Sequence, residues 1–124
     1  MGTVGYMEGT DPLILTRLNL EGIGTLPLGN GFDGHGKYVG HLTRQDDVSL
    51  VITYLHKVLP TVDMTINARD FLIACRTHKI PVLVIAPEEY HQRAREMLGD
   101  IAEHVTMVTP DSVYDTAMKI LERS

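Results

Sequence analysis

The stretch Leu28–His41, LGNGFDGHGKYVGH, holds five glycines together with Asp33, His35, Lys37 and His41. These residue types can serve several chemistries. Gly29, Gly31 and Gly34 fit the GxGxxG spacing, and Gly31 through Lys37 fit GxxxxGK, patterns in which backbone N–H groups and a lysine hold phosphates. Asp33, His35 and His41 are ligand types suited to a divalent metal ion, although no second spaced pair joins them, so no metal site is expected beyond these three candidates. As catalytic candidates, His35 can act as general acid or base, Lys37 can stabilise developing negative charge, and Asp33 can orient the histidine. The same residues also make an ordinary solvated loop, because Asp and His shape turns by bonding their own backbone.

Context separates these readings. A dinucleotide fingerprint follows a strand directly, and the preceding GIGTLPL, with Pro27 and two glycines, does not read as one. A phosphate loop needs Ser or Thr after its lysine, and here Tyr38 follows Lys37. DGHG also resembles the start of the DxHxxG loop of cobalamin-binding mutase domains, but Tyr38 stands where that loop has its glycine. The resemblance covers four residues and assigns no family, and no cofactor or reaction is specified.

The elements that must position these residues follow from periodicity. TRQDDVSLVITYLHKVLP carries Val48, Val51, Ile52, Leu55 and Leu59 at helical spacing behind a capping pair, Thr43 and Asp46, and predicts a helix over roughly 45–59. TVDMTIN alternates as a strand, and Asn67 caps a helix whose stripe is Ala68, Phe71, Leu72 and Cys75. VLVIAP is wholly apolar, as in an interior strand covered on both faces. Pro87 opens a helix with inner stripe Tyr90, Ala94, Met97 and Leu98, closed by Gly99. VTMVTP repeats the design with Thr109 as cap and Pro110 at the first helical position, and the last helix turns Val113, Ala117, Ile120 and Leu121 inward. Upstream, PLILTRLNL predicts a strand over about 12–19, and TVGYM an edge strand.

Alternation with short connections implies a mainly parallel sheet of four to five strands in a three-layer αβα sandwich, and the whole resembles a small flavodoxin-like or Rossmann-like domain. One domain over 1–124 is expected, with a glycine-rich loop at about 20–45. In such sheets ligands bind outside the carboxyl ends of the strands, where helix N-termini gather. That edge is expected to collect Gly31, Gly34, His35, Gly36, Lys37, Asn67, Arg69, Glu88 and Thr109, a set suited to a small anionic ligand. Glu88, with Glu89, also suits the positive end of its helix without any ligand.

Sixteen acidic against eleven basic residues give a net charge of −5, which disfavours a nucleic-acid partner. Cys75 is the single cysteine, so no internal disulfide forms, its place on a helix stripe predicts an inert buried thiol, and a cytoplasmic location is expected. No apolar run approaches the ~20 residues of a membrane span, and MGTVGYMEGTD lacks the pattern of a secretory signal. The N-terminal apolar residues Tyr6, Met7, Leu13, Ile14 and Leu15 suggest an alternative role as a non-catalytic assembly or regulatory module. In it a homodimer forms through a sheet edge or an exchanged N-terminal arm.

Overall fold

A computed structural model describes residues 2–7, 9–29, 37–38, 47–55, 75 and 79–123. Strand β1, Thr3–Met7, buries Val4, Gly5 and Met7. It is followed by helix α1, Pro12–Leu20, and not by the strand expected over 12–19. Local capping decides the matter. The Asp11 carboxylate accepts a hydrogen bond from Leu13 N at 2.9 Å, and Pro12 occupies a first-turn position where a missing N–H costs nothing. Ile14 and Leu18, one turn apart, make the buried stripe, while Leu13 and Leu20 face out.

Strand β2, Gly24–Gly29, runs through the GTLPLG that Pro27 had disqualified. Strand β3, Lys37–Tyr38, pairs only with Leu28 and Gly29, so beside Pro27 the outer side of β2 has no ladder partner among the described residues. Proline is tolerated at such an edge. Strand β4, Val48–Tyr54, replaces the helix expected over 45–59. The register to β1 jumps between Thr3↔Val48 and Val4↔Leu50, a bulge that sends Val48 to the same core as Val51 and Leu55. Leu50 and Ile52 enter the opposite core. A strand buried on both faces, with one bulge, therefore imitates helical spacing.

Strand β5, Val82–Ile85, is buried at all four positions, as expected of an interior strand. A 3₁₀ turn, Glu88–Tyr90, leads into helix α2, His91–Leu98, which ends at Gly99 with φ of 66°. Only Ala94 and Leu98 of its expected stripe are buried. Tyr90 and Met97 are 51% and 58% exposed, because these two, seven apart, share the adjoining outward row. A second 3₁₀ segment, Gly99–His104, precedes strand β6, Val105–Val108. Helix α3, Val113–Arg123, starts after a turn that holds Pro110, so the proline is not its first residue, and Val113, Ala117 and Leu121 point inward as expected. The strand expected in TVDMTIN and most of the helix after it lie outside the described residues. Cys75 is helical and buried.

The strands form one sheet in the order β3-β2-β1-β4-β5-β6, every pair parallel. Five strands have four or more residues, and the sixth is the two-residue β3. β1, expected at an edge, lies inside between β2 and β4. Two cores flank the sheet. Ile14, Leu18, Val113, Ala117 and Leu121 of α1 and α3 meet Leu50, Ile52, Leu83 and Ile85 on one face. Cys75 and the α2 residues Ala94 and Leu98 meet Met7, Val51, Val82 and Val84 on the other. The fold is a mainly parallel α/β fold with helices on both faces. Among the described residues no helix is long and apolar enough to cross a membrane.

Candidate functional site

From β1 the chain builds outward to β2 and β3 on one side, then to β4, β5 and β6 on the other. The order thus reverses between β1 and β4, and in open parallel sheets the crevice outside the carboxyl ends at such a reversal is where ligands sit. On its β1 side the turn is tightly closed. Thr10, 7% exposed, donates from Oγ1 to Met7 O at 2.7 Å, and Gly9 supplies the positive φ of 94° that the turn requires. Asp11 then caps α1. With Leu13 N taken by that carboxylate, Ile14 N bonded to Asp11 O at 3.1 Å and no N–H on Pro12, the first turn of α1 offers little to an anion.

On the β4 side, Tyr54 follows Ile52 by two residues and packs against the same core, the face that α1 covers. Its phenol is held above the usual tyrosine range, first by burial and then by the negative charge of Asp11. The Asp11 charge therefore acts on the phenol across the ends of β1 and β4. Thr53, fully buried, donates from its hydroxyl to Tyr54 O at 3.1 Å.

Further along the edge, β5 delivers Ala86, Pro87, Glu88 and Glu89, the last three exposed. The imidazole of His91 reaches back to the end of that strand, with Nε2 2.7 Å from Ala86 O. Beyond β6, Thr109 and Ser112 close their own turn. Their hydroxyls lie 2.9 Å apart, Thr109 N donates to Ser112 Oγ at 3.0 Å, and Ser112 N donates to Thr109 Oγ1 at 3.2 Å.

Of the residues expected at this edge, three fall among those described. Lys37 is paired in register with Leu28, near the carboxyl end of β2. Glu88 is exposed at the end of β5, and Thr109 is half-buried at the end of β6. Gly31, Asp33, Gly34, His35, Gly36, His41, Asn67 and Arg69 lie outside the described residues. Among those described, no three His, Cys, Asp or Glu side chains gather as metal ligands. The thiol of Cys75 is pushed up to about 12 by burial, which keeps it protonated and unreactive near neutrality.

Sequence reasoning missed Thr10, Asp11, Tyr54 and His91. The Asp-Pro pair ahead of an apolar run was a usable helix-start signal. Tyr54 carried none, because Asp11, whose charge acts on it, caps a helix distant in sequence. No protein-family model matches the chain, and neither a curated protein nor a solved structure is significantly similar to it.

Proposed function

We propose that the chain is a cytoplasmic protein that binds a small anionic metabolite or phosphate-bearing cofactor. The site is the carboxyl edge of a flavodoxin-like or Rossmann-like sheet, with the glycine-rich stretch as its cover. The observation that carries this reading is the reversal of strand order between β1 and β4, with Lys37 returning beside the end of β2. Polarity refines it. Asp11 closes the α1 terminus, so the anionic group belongs on the β2–β3 side, where Lys37 and the backbone of Gly31, Gly34 and Gly36 are its proposed partners. Arg69 and Asn67 are the further proposed contacts. Should the site catalyse, His35 as acid or base, oriented by Asp33 and assisted by Lys37, is its proposed machinery.

A thermal-shift screen against nucleotides, phosphosugars and carboxylates tests the proposal. A shift with one class, lost in a Lys37→Ala, Arg69→Ala double variant, is expected, and a blank screen counts against it. A second reading, a non-catalytic assembly module forming a homodimer, draws on exposed Leu13 and Leu20 of α1 and Tyr90 and Met97 near α2. Exchange of an N-terminal arm would have to carry β1, an interior strand, from one subunit to the other. A single monomeric species in sedimentation at micromolar concentration rules that reading out.

A further inference from the structure

Among the described residues, several polar side chains along the carboxyl edge are engaged by their own turns: Thr10 by Met7 O, Asp11 by Leu13 N, Thr109 and Ser112 by each other. His91 differs. Its Nε2 lies 2.7 Å from Ala86 O, and because a carbonyl can only accept, Nε2 carries the hydrogen. In the neutral ring Nδ1 is then left as an acceptor. The anchor is rigid, since Ala86 is 2% exposed and its own N–H donates to Val108 O at 3.0 Å. A histidine whose one nitrogen is fixed by a backbone carbonyl presents the other in a defined direction, as ligand-binding histidines do. The ring is only half-buried. Tyr54 is level with Ile85 across the ladder, so Ala86 lies just past the end of β4, beside the crevice.

We propose that His91 is a binding residue of this edge, with Nδ1 accepting a hydrogen bond from a hydroxyl or ammonium group of the ligand. The inference rests on the ligand-binding reading above and narrows it. Among the described residues, the exposed charged groups that follow β1, β5 and β6 are Asp11, Glu88, Glu89 and Asp111, all acidic, and a hydrogen-bond donor on the ligand suits both them and Nδ1. With its anion directed to the β2–β3 side, the ligand is a hydroxyl-bearing anion, of which a phosphosugar is the simplest instance.

The competing account is a latch that merely closes the turn from Ala86 to His91. His91→Gln separates the two, because its amide nitrogen can reach Ala86 O while no acceptor remains at the Nδ1 position. Binding of ribose 5-phosphate and of inorganic phosphate is measured by calorimetry for wild type, His91→Gln and His91→Ala. The expected result is an unchanged thermal midpoint in His91→Gln, a ribose 5-phosphate Kd raised about tenfold, as for one lost hydrogen bond, and unchanged phosphate binding. Wild-type ribose 5-phosphate affinity in a folded His91→Gln overturns the inference and leaves the latch. A readout without any variant is the ring two-bond proton–nitrogen spectrum of the wild type. It is expected to show the Nε2–H form and a displaced Nδ1 resonance on adding ribose 5-phosphate, and an unmoved resonance also overturns the inference. Failure of both probes to bind overturns it too, and reaches the ligand-binding reading only if the wider screen is blank as well.

Discussion

Replacing Gly5 with alanine tests the packing that holds the crevice in place. Gly5 is the middle residue of β1 and is buried, and a Cβ built on it lies 2.5 Å from Leu28 Cδ1, 3.3 Å from Leu28 Cγ and 3.5 Å from Val48 Cγ1. Its φ is not in the left-handed region, so the obstacle is steric and not conformational. Leu28 is fully buried in the core it shares with Met7 and Val51, and moving its methyl group disturbs that core. Overpacking of this kind costs about 1–3 kcal/mol. Against it stands the roughly 0.4–1 kcal/mol that Gly→Ala gains by restricting the unfolded chain. The net expectation is a loss of roughly 1–2 kcal/mol, seen in urea as a lower midpoint with an unchanged slope, and as a fall of roughly 3–10 °C in Tm. Leu28→Ala, destabilising alone, should cost less in the Gly5→Ala background, because the removed methyl groups are those the new Cβ meets. A Gly5→Ala protein as stable as wild type, or strictly additive effects in the cycle, would show that Leu28 does not pack over Gly5 and that the β1–β2 register is wrong.

Asp11→Ala should lose about 0.5–2 kcal/mol of unfolding free energy, with most of it kept in Asp11→Asn, measured by urea titration. In Asp11→Asn the Tyr54 phenol should ionise at lower pH than in wild type, since the negative charge that opposes its ionisation is gone; an unmoved ultraviolet titration would separate the two groups. Burial raises the Cys75 thiol from 9.0 to about 12, so its contribution to stability is complete below pH 9.0 and is lost as pH rises towards 12. Cys75→Ala should therefore decline less steeply than wild type across that window in denaturant midpoints. Lys79, exposed and at φ of 56°, occupies a backbone conformation that suits glycine, and Lys79→Gly should raise stability by roughly 0.5–1 kcal/mol in urea unfolding.

What was legible in the sequence divides along the reach of the determining contacts. β5, β6 and α3 could be read because their signals are local: a four-residue apolar run between Pro81 and Pro87 in the first, Val105, Met107 and Val108 ahead of Pro110 in the second, and an i, i+4 stripe in the third. The signal of α1 is local too, the Asp11-Pro12 pair, but Leu13-Ile14-Leu15 by itself spells a strand. β4 was misread for a different reason: its bulge against β1 is a tertiary feature, and without it Val48, Val51 and Leu55 spell a helix face. Pro27 argued against β2 only for as long as the position of β2 in the sheet was unknown. The parallel direction of the strands followed from alternation alone. The neighbourhood of Tyr54 and Asp11 needed the order of the strands, which short-range patterns do not encode.

The interior position of β1 has a consequence for how the polypeptide could be divided. β1 and β2, with α1 between them, come from the first part of the chain, and β4 to β6 from the second, so among the described residues the ladder joining the two parts is β1 against β4. That ladder lies in the middle of the sheet and is lined by Val4, Leu50 and Ile52, all inaccessible to solvent. Two separately made polypeptides, parted between Tyr38 and Asp47, would each leave an apolar strand edge exposed, and each edge is the complement of the other. Such pieces should be poorly soluble apart and reassociate when mixed, with the Asp11–Tyr54 crevice formed at their seam.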